Sequence, residues 1–242
     1  MPAPQTDATS ANSGPSQVSE SFWQRRQYFI GWYGLTAICA LLDVVCFMAL
    51  GEVFASMMTG NLLLLAASVG TGADWDTLIR QMTPIVVFSA GAVLGGRLLR
   101  LPAPWKERRL GFVVEWLLLV IATLIALTFQ PETDNWAGQS VVALLGLAMG
   151  VHGAMVRGLG VADLATNVMT TTLASWMSDT RAAGGNHKHS ARRGMSIAVC
   201  LCSGVLGAVL WKWNGLQAPL VMATLLMTLL LYPLLNGIRP DN

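Results

Sequence analysis

The chain has 242 residues, of which 54% are hydrophobic and only 12% are charged, and its formal net charge is +2. A soluble domain carries about 25% charged residues, so this chain has too few charges to cover a water-exposed surface. The composition excludes a soluble globular enzyme and predicts an all-α, polytopic membrane helix bundle.

Residues 1–21 are rich in Pro, Ser, Thr, Ala and Asn and predict a disordered cytoplasmic tail, and residues 22–242 form the predicted membrane domain. Eight apolar segments follow, several of them long enough to cross a hydrocarbon core of about 30 Å. They span residues 30–50, 53–70, 82–100, 111–129, 139–157, 161–178, 195–211 and 216–235. Only Gly51-Glu52 separates the first close pair, and only Gly158-Leu159-Gly160 separates the second.

Two short motifs recur at nearly constant spacing. Met58-Thr59-Gly60-Asn61-Leu62 is echoed by Met169-Thr170-Thr171-Thr172-Leu173 at an offset of 111, and Val93-Leu94-Gly95 by Val205-Leu206-Gly207 at an offset of 112. The collinear offsets favour an internal duplication. Repeat one is predicted at about 30–130 and repeat two at about 139–236.

The basic residues predict the topology. Of the 15 Lys and Arg residues, 12 lie in four groups: Arg25-Arg26, Arg97 to Arg109, Arg181 to Arg193, and Arg239. Cytoplasmic loops carry an excess of Lys and Arg, and all four groups face the cytoplasm only if each close pair makes one net crossing. Each half then crosses three times, which makes two inverted repeats, each with a paired short or broken helix. The sequence leaves open whether the pairs contain re-entrant segments or broken helices.

Small residues at four-residue spacing predict close helix packing, at Gly91 and Gly95, Gly146 and Gly150, and Ser203 and Gly207. These faces serve either packing within the monomer or a homo-oligomer. The lipid bilayer is the other predicted partner.

Five ionisable residues lie in the close pairs or at their breaks, namely Asp43, Glu52, His152, Arg157 and Asp163. A charge inside hydrocarbon is costly, so each is a candidate for function. Asp43 is embedded in apolar sequence and is the strongest candidate for a proton or cation site. The alternative is a structural carboxyl, paired with Arg157 or bonded to the backbone at the break.

Glu52 and Asp163 adjoin glycine breaks, where a carboxylate can instead cap a helix N-terminus. The threonines and Asn61 of the repeated motif either satisfy backbone groups at a break or line a solute site. Glu115 lies near the start of its segment and is predicted at the membrane interface, beside Arg108 and Arg109.

No cofactor or metal site is predicted. His187 and His189 lack a third ligand, and the four cysteines, all in apolar runs, are interpreted as packing residues. Phosphate loops, dinucleotide fingerprints and nucleophile elbows are missing. Membrane topology and anionic lipid account for the basic loops, so no nucleic acid is expected as a partner.

The block from Ala40 to Asp43, followed by Gly51 and by Val53 to Asn61, resembles the signature of the YoaK family of bacterial polytopic membrane proteins, a domain of unknown function. The second half is similar at Gly150-Val151-His152-Gly153-Ala154 and at Arg157. The chain has Ala40 where the family tends to have glycine, and His152-Gly153 in place of Gln-Asn. The resemblance implies a bacterial inner-membrane protein and supplies no substrate.

Inverted repeats with breaks at corresponding positions are typical of secondary transporters. The leading hypothesis is therefore a transporter or permease for an unidentified small solute, coupled to protons, with both termini cytoplasmic. Asp43 would carry the proton, and Arg157 would be a counter-charge or an anion ligand. The remaining pathway residues are Glu52, Thr59, Asn61, His152, Asp163, Thr170 and Thr171.

The alternative hypothesis is a non-transporting scaffold or accessory subunit, in which Asp43 and Arg157 would be sealed together without a cavity. An enzyme is not expected. It would need a nucleophile–base pair, and His152 with a threonine or with Asp163 makes a poor one.

Overall fold

The computed structural model describes residues 15–102, 109–158, 169–185 and 190–236 of the chain. Within these ranges there are eight α-helices, a short 3-10 helix at Arg181–Ala183 and no strand. The helices are α1 Pro15–Ala49, α2 Met58–Thr71, α3 Trp75–Leu99, α4 Leu110–Phe129, α5 Trp136–Gly158, α6 Met169–Ser178, α7 Ser190–Asn214 and α8 Gln217–Asn236. The predicted all-α class is confirmed.

Six of the described helices are long and apolar enough to cross a membrane: Ile30–Ala49 within α1, together with α3, α4, α5, α7 and α8. The two shorter helices are α2 and α6, which follow the two predicted breaks. The chain is therefore a multi-pass membrane protein. Helix α2, with 14 residues, is too short to span the bilayer, and α6 is described over 10 residues.

Some helix boundaries differ from the predicted segments. Helix α1 begins at Pro15, so residues 15–21 are helical; proline is favoured in the first turn of a helix. Helix α2 begins only at Met58, because residues 51–57 form an irregular segment. Helix α3 begins at Trp75, where the carboxylate of Asp74 accepts a hydrogen bond from the Thr77 N–H at 3.4 Å.

Contacts between neighbouring helices establish their relative directions. Two pairs of helices are parallel, α3 with α5 and α1 with α7. Three pairs are antiparallel, α4 with α5, α4 with α8, and α1 with α8. The approaching residue pairs are Gly91–Leu147, Gly95–Val151, Tyr33–Arg192, Val44–Gly204, Gly111–Met155, Glu115–His152, Arg109–Leu234, Thr123–Leu220, Gly31–Leu234 and Gly34–Leu230. Helix α2 packs on α3, and α6 packs on α7.

The two principal basic clusters lie at one end of the bundle. The Arg109 guanidinium donates hydrogen bonds from Nη1 to the carbonyl oxygens of Leu234 (2.9 Å) and Leu235 (3.1 Å), at the end of α8. The Tyr33 hydroxyl, near the start of the first span, donates to the Arg192 carbonyl at 3.4 Å. Burial lowers the pKa of Arg109 to about 10. Because this value is still well above neutral pH, the side chain stays charged. We call this end of the bundle, which holds Arg109 and Arg192, the basic end.

Glycines bring α3 and α5 into backbone contact. A Cβ on Gly150 would overlap the carbonyl oxygen of Phe88, and one on Gly91 would overlap that of Leu147. Small residues drive such close approach in membranes, where packing takes the place of the hydrophobic effect. The small-residue faces of α3 and α5 are therefore occupied within the chain.

Replacing Gly150 with alanine should lower the stability of the protein, because the added methyl group forces two backbones apart. We expect a loss of about 1–3 kcal/mol, as for other overpacked cores, visible as a lower melting temperature in detergent. Gly96→Ala is the matched control on α3, since a Cβ there meets nothing within 4 Å. Equal melting temperatures for the two variants would contradict the packing described for Gly150.

Candidate functional site

After its first span the chain folds back into the membrane. Gly51 and Glu52 make the turn with φ values of 89° and 59°, and residues 51–57 run back until Ser56 hydrogen-bonds with Asp43. Asp43 lies six residues before the end of α1, or about 9 Å along the helix axis. Helix α2 therefore starts inside the membrane.

Helix α2 then returns to the end of the bundle opposite the basic end. Its C-terminus is closed by Gly72, with φ 71°, and α3 begins three residues later. Arg80, in the first turns of α3, packs on Gly51 and pairs with Asp134 at 3.1 Å. The first close pair thus consists of a full crossing followed by a re-entrant segment, residues 51–71.

Asp43 holds the re-entrant segment in place. Its Oδ1 accepts a hydrogen bond from the Ser56 N–H at 2.7 Å, and its Oδ2 accepts one from the Ser56 hydroxyl at 2.5 Å. Asp43 is only 5% exposed, and charge-assisted hydrogen bonds of this kind are the strong ones. Two partners were predicted for a structural Asp43, Arg157 and the backbone at the break. The structure shows the backbone, through the Ser56 N–H.

Asn61 makes a second clamp on the same segment. Its side-chain amide accepts a hydrogen bond from the Phe54 N–H and donates one to the Phe54 carbonyl, both at 2.8 Å. The Phe54 ring stacks on Phe47 of α1 with centroids 5.1 Å apart. Both polar atoms of the Asn61 side chain are used in this way, so in this conformation its role is to satisfy irregular backbone.

A cavity of about 630 Å³ borders Asp43. It is open on one side and is bordered by α1, the re-entrant segment, the start of α6 and the middle of α7. Thr59 and Thr170, at equivalent positions of the repeated motif, both line it, as do Met169 and Gly204. The cavity therefore brings together residues from both halves of the chain, and its wall is mostly apolar.

The other predicted residues lie elsewhere. Glu52 is exposed at the turn, and Thr171 is exposed without lining the cavity, whereas its neighbour Thr172 is buried. Arg157 is exposed at the end of α5, next to Gly158, which packs on Leu99. The structure does not bring Arg157 to Asp43. Asp163, like His187 and His189, lies outside the described residues.

His152 and Glu115 form a buried pair that the sequence did not indicate. Both side chains have no exposed surface, and His152 Nδ1 lies 2.9 Å from Glu115 Oε1. The other ring nitrogen, Nε2, lies 3.5 Å from the Cys39 sulfur. The prediction that Glu115 lies at the membrane interface is wrong. Helix α4 packs antiparallel on α5, and the Glu115 side chain is buried between them beside His152. Pairing offsets part of the cost of burying a carboxylate.

Sequence comparison adds one curated relative, the UPF0700 transmembrane protein YoaK of Bacillus subtilis (strain 168). The chain is 26% identical to it over 153 residues, which is 60% of this chain and 65% of the relative. The match thus spans slightly less than two thirds of the relative's length. No solved structure matches the chain.

A family model described as "Protein of unknown function (DUF1275)" matches residues 32–232. The matched range begins in the first span and ends in α8, so it contains Asp43, the re-entrant segment and the cavity. The chain therefore belongs to the DUF1275 family of membrane proteins.

Proposed function

We propose that the protein is a transporter or permease for a small solute, coupled to protons, and that the solute passes through the cavity beside Asp43. The observation that carries the proposal is the position of this cavity. It lies at the inner ends of two short helices from different halves of the chain and has a carboxylate on its wall. Ionisable groups at membrane depth typically mark ion or substrate pathways.

An inverted repeat is part of the proposal. Helices α1 to α4 and α5 to α8 each comprise a crossing helix, a short helix and two further crossing helices. In this proposal α1 corresponds to α5, α3 to α7 and α4 to α8, and the two helices of each pair run in opposite directions. Helix α1 is parallel to α7 and antiparallel to α8, whereas α5 is parallel to α3 and antiparallel to α4. Helix α2 runs from the cavity away from the basic end, and α6 runs from the cavity towards it, where Asp179 pairs with Arg193.

Protonation of Asp43 would act on the wall of the cavity through Ser56. Both carboxylate oxygens accept hydrogen bonds from that residue. A proton on Oδ2 turns the oxygen from an acceptor into a donor, so the Ser56 hydroxyl must rotate or leave. Because Phe54 and Met57, on either side of Ser56, line the cavity, protonation and cavity shape would change together.

The non-transporting scaffold remains the alternative function. It was expected to seal Asp43 against Arg157 without a cavity, whereas Asp43 borders a cavity and Arg157 is exposed at the end of α5. The glycine faces that a partner helix would use are filled by α3 and α5 themselves. These observations favour transport.

We also propose that the protein lies in the bacterial inner membrane with the basic end in the cytoplasm. In a cysteine-free background, single cysteines at Arg100 and Arg181 should react with a membrane-impermeant maleimide only after the cells are permeabilised. Cysteines at Asp74 and Glu132, at the other end, should react in intact spheroplasts. All four positions are exposed. The reverse pattern would refute the orientation and leave the fold intact.

Asp43→Asn should abolish solute-driven proton flux in proteoliposomes. The asparagine side-chain oxygen can still accept from the Ser56 N–H, so the segment stays in place while the titratable group is lost. Weakening one charged hydrogen bond should cost about 1 kcal/mol of stability. The matched control is Asp76→Asn, which removes an exposed carboxylate away from the cavity and should retain flux. Undiminished coupling in folded Asp43→Asn protein would remove Asp43 from the mechanism.

Ala208→Phe should block the cavity and reduce solute flux about ten-fold or more, because Ala208 lines the cavity and a phenyl group fills much of it. Val209→Phe is the control, since Val209 is 37% exposed and does not line the cavity. The uptake of candidate solutes by proteoliposomes would be compared for the two variants. Equal flux would mean that the solute does not pass this way.

A further inference from the structure

Three side chains that can bind metal meet between α1 and α5. The Cys39 sulfur lies 3.7 Å from the Met149 sulfur and 3.5 Å from His152 Nε2. Met149 and His152 are three residues apart on α5 and so share a helix face. Cys39 is 2% exposed and the other two are fully buried. Cys39 also lies at the middle of the first span, Ile30–Ala49.

We propose that Cys39, Met149 and His152 bind a soft monovalent cation, Cu(I), in the middle of the membrane. The two donor separations that involve Cys39 fit a shared ion. With the bond lengths of zinc sites, about 2.0 Å to nitrogen and about 2.3 Å to sulfur, trigonal or tetrahedral angles place donor atoms about 3.5–4.0 Å apart. The two measured separations, 3.5 and 3.7 Å, lie within this range.

Glu115 contacts His152 in the way that a carboxylate contacts a metal-binding histidine, through the ring nitrogen that does not face the metal. A ligating imidazole almost always donates its second N–H to a carboxylate, a carbonyl or water, which sets the ring orientation and the tautomer. Glu115 Oε1 lies 2.9 Å from Nδ1, and Nε2 faces Cys39. A proton on Nδ1, donated to Glu115, leaves the lone pair of Nε2 pointing towards the proposed ion.

The donor set selects the ion. Thiolate and thioether sulfur favour Cu(I), and imidazole binds copper well. The third proposed ligand, Met149, is a thioether, which hard cations avoid. On binding, the Cys39 S–H bond breaks, a sulfur–metal bond forms, and one proton leaves to solvent. The oxidation state of the ion does not change.

The cavity provides a route to the site. Cys39 is part of its wall, and four further sulfur side chains line the same space: Met57, Met58, Met169 and Cys200. Soft ligands along the wall would let a dehydrated soft cation exchange between sulfurs. The site is proposed as a binding site and does not depend on the transport function.

The test measures Cu(I) binding to the purified full-length protein in detergent, anaerobically with ascorbate, by competition with a chromogenic Cu(I) chelator. We expect one ion per chain at this site. Cys39→Ser and Met149→Leu should each lower the affinity about ten-fold or more. The controls are Cys202→Ser and Met222→Leu, which change exposed cysteine and methionine side chains outside the cavity wall. Size-exclusion profiles and melting temperatures establish that each variant is folded.

X-ray absorption of the Cu(I)-loaded protein should show two sulfur neighbours and one nitrogen neighbour, with one sulfur lost in folded Met149→Leu. Glu115→Gln should lower the affinity about 10- to 100-fold, as for other outer-shell partners. The proposal is overturned if the wild type does not bind Cu(I), or if folded Cys39→Ser and Met149→Leu bind it as tightly as the wild type. Neither result tests the transport proposal, which is tested by the flux measurements on Asp43→Asn and Ala208→Phe.

Discussion

Irregular backbone inside a membrane must find its hydrogen bonds within the protein, and this constraint explains most of the site. Hydrocarbon offers no partner for an exposed N–H or carbonyl, and each unsatisfied group costs several kcal/mol. The re-entrant segment meets this requirement with two side chains. Asp43 binds Ser56 from α1, and Asn61 binds Phe54 from α2. Because these clamps hold, the segment can form one wall of a cavity.

Asp43 and Cys39 lie one helical turn apart on α1 and both line this cavity. Cu(I) at the proposed site would be held by the Cys39 thiolate, whose negative charge balances that of the ion. Binding would therefore leave the net charge beside Asp43 unchanged. The proposed proton site and the proposed metal site would then share one wall of the cavity without competing for charge.

Much of the architecture could be predicted because it follows from composition and charge. Apolar runs indicated the six spans, and the basic clusters required Arg109 and Arg192 at one end, where the structure has them. The polar motif around Asn61 marked the break in the membrane. The re-entrant path itself could not be predicted, because broken and re-entrant helices have the same local composition.

The Cys39–His152–Glu115 contact could not be predicted for a different reason. Each of these residues lies on a different helix, and no local pattern reports which faces of α1, α4 and α5 meet. Cysteine in an apolar run resembles a packing residue, and Glu115 near basic residues resembles an interfacial one. Chemistry that arises between helices far apart in sequence becomes visible only when those helices are packed together.

The packing of α1 has a consequence for how the protein is made. The span within α1 is 67% buried, the most enclosed of the six, and it packs chiefly on α7 and α8. These helices leave the ribosome after the other described helices. The first span must therefore wait in the bilayer, or beside the insertion machinery, until α7 and α8 have been translated. The hydrogen bond between Asp43 and Ser56 can form early, because the two residues are only thirteen positions apart. If translation stalled before α7, α1 would be inserted and Asp43 would be hydrogen-bonded to Ser56. The surface of α1 that packs on α7 and α8 would still face lipid.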